Sequence, residues 1–389
     1  SGLCGAAVAY QLVRVLCGEM GRDAKNLDYL LENAAIATVG DVMDLEDENR
    51  IIVKEGLRRI SSTQNLGLRA LMECTKLEKD RIRAYHIGFI LGPCMNASGR
   101  LDTAKRALDL LRTKSKKEAD VLAGDLKALN DSRKEMTEAA VVWAKEQVET
   151  GEIRDDRVLV IYLPKCHESL AGIVAGRVRE SYYRPVFVLT DAAEGVKGSG
   201  RSIEAYHMFE ELSKCKELLT KFGGHKLAAG LSLKKENIEA FRRMLNENCT
   251  LTREDMTEKV VIDMELPFHC VTECFIRELS LLEPFGKGNT KPVFAARKAE
   301  LLSGRILGKN RNVLKLRVCD ASGTVIDAMY FNHVEDFLKK LEEHYGKDAL
   351  DLMLSGKQSH ISLSVTYYPE LNAYMGRVTP QIVITHYQV

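Results

Sequence analysis

The run Val158-Leu159-Val160-Ile161-Tyr162-Leu163, then residues 169–182, then Pro185-Val186-Phe187-Val188-Leu189-Thr190 decide the fold. The outer two stretches are continuous and rich in β-branched residues, as strands covered on both faces are. The middle stretch is amphipathic at helical period. No hairpin signal separates them, so the spacing predicts two parallel strands with a right-handed helical crossover. The fold class is therefore α/β. Helices near 207–215 and 237–248 complete a domain around this unit.

Upstream, Ser115-Lys116-Lys117-Glu118 has capping-box spacing, in which serine and glutamate satisfy each other's free N–H groups. Leu122, Leu126, Leu129, Met136, Ala140 and Trp143 follow near a 3.6-residue period, and Gly151 can end the helix. Unless Asn130-Asp131-Ser132 interrupts it, this helix spans roughly 50 Å. A strut between domains and an ordinary core helix both fit that pattern. Residues 1–113 read as mostly helical, with helices over 51–60 and 64–74 and an apolar run at 33–42 entering an acidic loop at 41–48. Val8, Leu12, Val15 and Leu16 mark a helix at the very start, with no initiator methionine and nothing visible to pack on. That pattern is read as a chain beginning mid-domain.

Downstream of about residue 258 the chain is strand-rich, with candidates at 299–307, 312–320, 324–331, 361–368 and 377–386. Leu314, Leu316 and Val318 alternate with Lys315 and Arg317, as a half-exposed strand requires. Ala321-Ser322-Gly323 reads as a hairpin turn, and residues 334–345 as a helix between the third and fourth strands. That arrangement suggests an OB-fold, a common single-strand nucleic-acid module.

The 389 residues suffice for two or three domains, and 45% hydrophobic and 29% charged residues are ordinary for a globular protein. The net charge of +1 means that any nucleic-acid surface is a local patch. Ten cysteines contain no Cys-x-x-Cys, which reads as reduced thiols of a cytoplasmic protein and argues against structural zinc. No apolar run approaches the roughly 20 residues that span a bilayer.

Three glycine-bearing motifs carry the chemistry. In Gly92-Pro93-Cys94-Met95-Asn96-Ala97-Ser98-Gly99-Arg100-Leu101-Asp102, Asn96 and Arg100 stand four apart at an expected helix start and can present an amide and a guanidinium together. In Gly198-Ser199-Gly200-Arg201-Ser202, Ser199 and Arg201 resemble a phosphate cradle with Lys197 nearby, although a solvated hairpin tip also fits. In Gly223-Gly224-His225-Lys226-Leu227-Ala228-Ala229-Gly230, paired glycines place His225 on an expected loop beside Lys221 and Lys226. His167 follows the carboxyl end of a parallel strand, where α/β folds collect ligands. A Cys166 nucleophile is disfavoured, because adjacent side chains usually point apart. From Arg297 to Arg317 seven basic residues face one acid, Glu300, which suits a groove along a phosphodiester backbone or a solvated face.

In this order, with Glu283-Pro284-Phe285-Gly286-Lys287-Gly288-Asn289 downstream, the motifs resemble the RecJ single-strand-specific exonucleases, which are DHH/DHHA1 phosphoesterases, over nearly the whole chain. The resemblance implies part of a DHH domain at 1–113, a connecting helix at 114–151, a DHHA1 domain at 152–254 and an OB-fold at 255–389. It implies a 5′→3′ single-stranded-DNA exonuclease of repair and recombination, using two Mn²⁺ or Mg²⁺ ions. Asp41, in Thr38-Val39-Gly40-Asp41-Val42, matches a metal-ligand motif of the family. His225 then contacts phosphate at the reaction centre. Asn96, Arg100, His167, Ser199, Arg201, Gly223 and Gly224 bind phosphate, and Arg305, Lys309, Arg311 and Lys315 bind DNA. The expected partners are single-stranded DNA, a single-strand-binding protein and a helicase, with the enzyme a monomer and no membrane association.

Two departures and two rivals accompany this reading. The family's Asp-x-Asp and Asp-His-His motifs do not occur in these residues, so the chain by itself is expected to be inactive. Cys94 stands where the family usually has arginine, and Asp44 where proline is common. The rivals are a DHH/DHHA1 phosphodiesterase acting on cyclic dinucleotides or short RNA, and a non-catalytic single-strand-binding scaffold.

Overall fold

Backbone hydrogen bonds join the two continuous runs as the parallel pair β1 (Leu159–Tyr162) and β2 (Val186–Asp191), with helix Ala171–Tyr182 as their crossover. The computed structural model describes residues 2–23, 27, 29–79, 82–308, 310–331, 333–374 and 376–389. The chain divides into two units, one of residues 26–32 and 57–259, the other of residues 1–25, 33–56 and 260–389.

In the first unit, β3 (Val196–Arg201), β4 (Leu219–His225) and β5 (Ala228–Leu233) extend the pair into a five-stranded sheet of order β1-β2-β3-β5-β4. All the added pairings are antiparallel. The Gly198–Ser202 motif is thus mostly the central strand and not a hairpin tip. Sterics enforce this placement: a Cβ on Gly198 would lie 2.4 Å from Leu189, and one on Gly200 2.5 Å from Met208 and 2.7 Å from Phe187. Those neighbours belong to a core that helices Met208–Lys214 and Ile238–Asn248 close from one side. On the other side, Ala140, Ala144 and Val148 pack with Val174 and Val178 over β1 and β2.

The helix Lys116–Thr150 runs unbroken for 35 residues, with Ser115 Oγ accepting from Glu118 N at 3.3 Å. The reciprocal half of the expected capping box does not form, because Ser115 N donates to Thr113 Oγ1 at 3.1 Å and the Glu118 carboxylate accepts from Thr113 Oγ1 instead. Asn130 does not interrupt it. Its side chain is buried and its Oδ1 accepts from Arg133 Nε and Nη2 at 3.1 and 3.0 Å, so a residue that usually competes with helix is satisfied one turn along it. The helix is a core element, packing on helices Leu66–Cys74, Gly92–Leu101 and Lys105–Arg112 before it reaches the sheet.

The second unit is dominated by strands β6 (Met264–Glu265), β7 (Phe294–Leu307), β8 (Val313–Cys319), β9 (Val325–Phe331), β10 (Ser362–Tyr374) and β11 (Arg377–Gln388). The order β10-β11-β9-β8-β7 closes on itself because β10 also pairs β7, giving a five-stranded barrel with β6 appended to β7. The strand β7 begins earlier than the sequence pattern suggests, since its pairing with β10 shifts register between Ala296 and Ala299, where Lys298 takes a φ of 50°, and the bulge disguises one long strand as a shorter one. Helix Val334–Tyr345 sits where its period placed it, and a second helix, Lys347–Leu354, follows. In helix Gly5–Glu19 of the same unit, Val8, Leu12, Val15 and Leu16 are exposed while Ala7 and Tyr10 are buried.

Asp320 fastens the barrel. Its carboxylate accepts from Phe268 N at 2.6 Å, Ser322 Oγ at 2.6 Å, Ser322 N at 3.0 Å and Thr324 N at 3.3 Å. Burial works against its charge, but these hydrogen bonds outweigh burial and hold the carboxyl below its usual range. A depressed folded-state value stabilises above the unfolded value near pH 4, and that stabilisation is lost as pH falls through the folded one. Asp320→Asn is therefore expected to cost about 1–3 kcal/mol at pH 7. Denaturation curves of mutant and wild type should converge as pH drops below about 4.

Candidate phosphate-binding site

The open face of the first unit's sheet is a grid of three rows. Side chains alternate along strands and directly paired residues share a face. Register therefore sets Arg201, Ala228 and His225 in one row, Ser199, Gly230 and Gly223 in the next, and Lys197, Ser232 and Lys221 in the third. The intervening residues Val196, Ala229, Leu231 and Leu233 face the core. Two of the three glycine motifs thus meet on one surface through the β3–β5–β4 ladder.

Helix Ala171–Tyr182 brings its first turn against the Arg201 end of this grid. A Cβ on Gly172 would lie 2.8 Å from Arg201 Nη2 and 3.1 Å from Ser199 Oγ, so glycine lets the guanidinium and hydroxyl sit together under the helix start. Arg201 Nη1 donates to Gly200 O at 2.8 Å, and Arg100 Nη1 donates to Ser169 O at 2.8 Å. His167 caps the 3₁₀ turn Glu168–Leu170 that leads into the helix: its Nδ1 accepts from Ser169 N at 3.3 Å, which leaves Nε2 as the protonated nitrogen of the neutral ring. Burial pushes the neighbouring Cys166 thiol up, away from a thiolate nucleophile.

Electrostatics marks the same place. Burial, then the charges of Arg100 and Arg179, pull Arg201 below the usual arginine range. Burial, then Arg100 and Arg177, do the same to Arg133. Both remain cationic at neutral pH, so this is positive charge gathered at a cost that an anion relieves.

The first motif folds differently from its expectation. Gly92 to Leu101 is entirely helical, after a π-helical turn at Ile87–Leu91, so Asn96 and Arg100 lie along the helix and its end and not at its start. They still share an exposed face. Cys94 is buried, and burial pushes its thiol up. Arg133, from the long helix, supplies a guanidinium that the sequence reading missed. Its Asn130-x-x-Arg133 spacing was the available signal.

His225 also differs from expectation, ending strand β4 instead of lying on a loop. Its Nδ1 accepts from Leu227 N at 3.3 Å, which leaves Nε2–H free to donate. Gly224 is required by close approach, since a Cβ there would meet Ala228 O at 2.4 Å, whereas Gly223 has nothing within 4 Å. Lys226 is tied to Glu204 at 2.9 Å.

The remaining predicted residues lie in the other unit. Asp41 is exposed just after helix Leu30–Gly40, its N–H bonded to Ala37 O at 2.8 Å. Among the described residues no three His, Cys, Asp or Glu side chains converge as metal ligands. On the barrel, Arg305 opposes Lys315 across β7 and β8, and Arg305, Arg311 and Arg317 are exposed. Lys315 pairs with Asp327 at 2.7 Å and Arg297 with Glu265 at 3.3 Å, so the patch is weaker than its sequence count. Lys309 lies outside the described residues.

The DHHA1 domain family matches residues 155–250, and the RecJ OB domain family matches residues 262–386. A single-stranded-DNA-specific exonuclease RecJ of Dickeya dadantii is 33% identical over 405 residues, covering 99% of this chain and 67% of that protein. The chain belongs to the RecJ family. The Bacillus subtilis member is 36% identical over 337 residues, 86% of this chain and 42% of its own length. The crystal structure of the Thermus thermophilus RecJ in complex with Mg²⁺ superposes with a TM-score of 0.80 at 29% identity, over 98% of this chain and 55% of that one. The chain thus spans 42%, 55% and 67% of the length of these three family members.

Gly172→Ala tests the cradle without touching a charged group. The added methyl would lie 2.8 Å from Arg201 Nη2 and 3.1 Å from Ser199 Oγ, so it must displace the guanidinium from the cradle while the helix itself gains from alanine, and the melting temperature should stay close to wild type. Inorganic phosphate, by linkage, should raise the wild-type melting temperature and raise the variant's clearly less.

Proposed function

We propose that this chain is the phosphate-recognition and strand-binding part of a 5′→3′ single-stranded-DNA exonuclease acting in repair and recombination. The observation that carries it is the convergence of Ser199, Arg201 and Arg100 at the first turn of helix Ala171–Tyr182. A planar fork, a hydroxyl and helix-end N–H groups suit a terminal phosphate. Asn96, His167, Gly223 and Gly224 line the approach. His225, across the same row from Arg201, donates from Nε2 to the phosphate that is cleaved, where charge grows in the transition state. Arg305, Arg311 and Lys315, with Lys309, give the barrel its affinity for the strand backbone. The closed barrel supports this reading over a small cyclic-dinucleotide phosphodiesterase.

Hydrolysis of this kind uses Mn²⁺ or Mg²⁺ to make hydroxide and neutralise phosphate. Asp41 is the proposed ligand here. One carboxylate does not make a two-ion site, and the described residues supply no group of three ligands. No step is therefore assigned to these residues through a metal, and the chain by itself is expected to bind single strands without cleaving them. Such an enzyme acts as a monomer and needs free strands, which a helicase and a single-strand-binding protein present.

Two measurements test the proposal. Labelled single-stranded DNA incubated with the chain and Mn²⁺ should stay intact; robust cleavage abolished by Asp41→Ala would overturn the expectation that these residues bind strands without cleaving them. In a family-length enzyme, Arg201→Ala should mainly raise KM, most for strands with a 5′-phosphate. His225→Ala should mainly lower kcat, by about two orders of magnitude. A His225→Ala enzyme that melts lower but turns over normally would make the residue structural.

A further inference from the structure

The proposed strand path uses the row from Arg201 to His225 and, from the next row, Ser199 and Gly223; the lysine row is left unused. The Ser199 row and the lysine row open into a cavity of about 440 Å³ beside Ser199, lined by Lys197, Lys221, Ser232, Gly230, Ser169 and Glu168, among others. Its floor is unusual for a sheet. Gly230, in that floor, has no atom closer than Gly198 O at 3.9 Å to a built Cβ, and its cross-strand neighbour Gly223, just outside the lining, has none within 4 Å. Glycine weakens a strand, and neither position needs it for packing. Bare backbone there leaves room for something that is not protein.

The far row carries two ammonium groups on opposite walls, Lys197 on β3 and Lys221 on β4, with the Ser232 hydroxyl between them. Lys197 is engaged by Glu168 at 2.7 Å. Lys221 forms no ion pair among the described residues. The Arg201 row and the lysine row lie four residues apart along β3, with the Ser199 row midway, so neighbouring rows are roughly 6.7 Å apart. One row spacing is close to the span from the first to the third phosphorus of a triphosphate. Compact ammonium charges on flexible stems suit terminal phosphates, as the rigid arginine fork suits the first one.

We propose that this cavity receives the outer phosphates of a 5′-polyphosphorylated strand end. The first phosphate sits at Ser199 and Arg201, the second passes over Gly230, and the third reaches Lys197 and Lys221. Glu168 holds Lys197 when the outer phosphates are absent and yields it to them. The proposal rests on the cradle reading above, because it takes the first phosphate as fixed there.

The test is binding of the whole chain, in EDTA, to one oligodeoxynucleotide bearing a 5′-hydroxyl, a 5′-monophosphate or a 5′-triphosphate. Wild type should bind the triphosphate about tenfold tighter than the monophosphate, and the monophosphate tighter than the hydroxyl. The double variant Lys197→Ala, Lys221→Ala should reduce the triphosphate to monophosphate affinity and leave the other two unchanged. Gly230→Ala, which meets no clash in the fold, should act likewise with an unaltered melting temperature. Glu168→Gln should tighten the triphosphate alone. Equal wild-type affinity for mono- and triphosphate, or a lysine variant that loses all three ligands alike, would overturn the subsite. If Arg201→Ala leaves monophosphate and hydroxyl ends as distinct as in wild type, it is the cradle reading that fails.

Discussion

Positive charge held by neutral oxygens is the constraint on which the first unit turns. Arg201 rests on Gly200 O, Arg100 on Ser169 O and Arg133 on Asn130 Oδ1, and the groups that act most strongly on Arg201 after its own burial are other arginines. An arrangement so disfavoured in isolation persists only where the scaffold over-determines it. Here a 35-residue helix, a parallel βαβ crossover and a central strand each fix one guanidinium. The stability of that scaffold keeps the cations together, and an anion bound among them would relieve their repulsion.

Glycine serves two distinct ends in this sheet. At 198, 200 and 224 a side chain would collide with the core or with neighbouring backbone, so glycine there is a packing requirement. At 223 and 230 nothing crowds the position, and at 172 only the cradle itself does. The first group holds the strands in register. The second leaves a bare surface, and register aligns it with the cationic rows on either side.

The barrel shows how much of a charge count survives folding. The basic run on β7 and β8 is real, yet Lys315 and Arg297 are partnered by acids on the neighbouring strands β9 and β6, outside the run itself. Surface pairs of this kind are weak, and a phosphodiester can compete for them. What remains openly available among the described residues is the exposed set of Lys298, Arg305, Arg311 and Arg317.

Local patterning determined a good deal by itself. Continuous β-branched runs specified the parallel pair, the Ser115 N-cap the start of the long helix, and the period of 334–345 its helix, because each signal is complete within a few residues. The second and third glycine motifs were legible as candidate phosphate-binding segments for the same reason. Tertiary structure alone decided that Gly198–Arg201 is a central strand, that His225 ends a strand, and that Arg133 joins Arg100 near the cradle. It also decided that β7 pairs with β10 to close the barrel. Those outcomes depend on strand register and on partners tens to hundreds of residues away. No local window contains them, because register is set by which faces can be buried together.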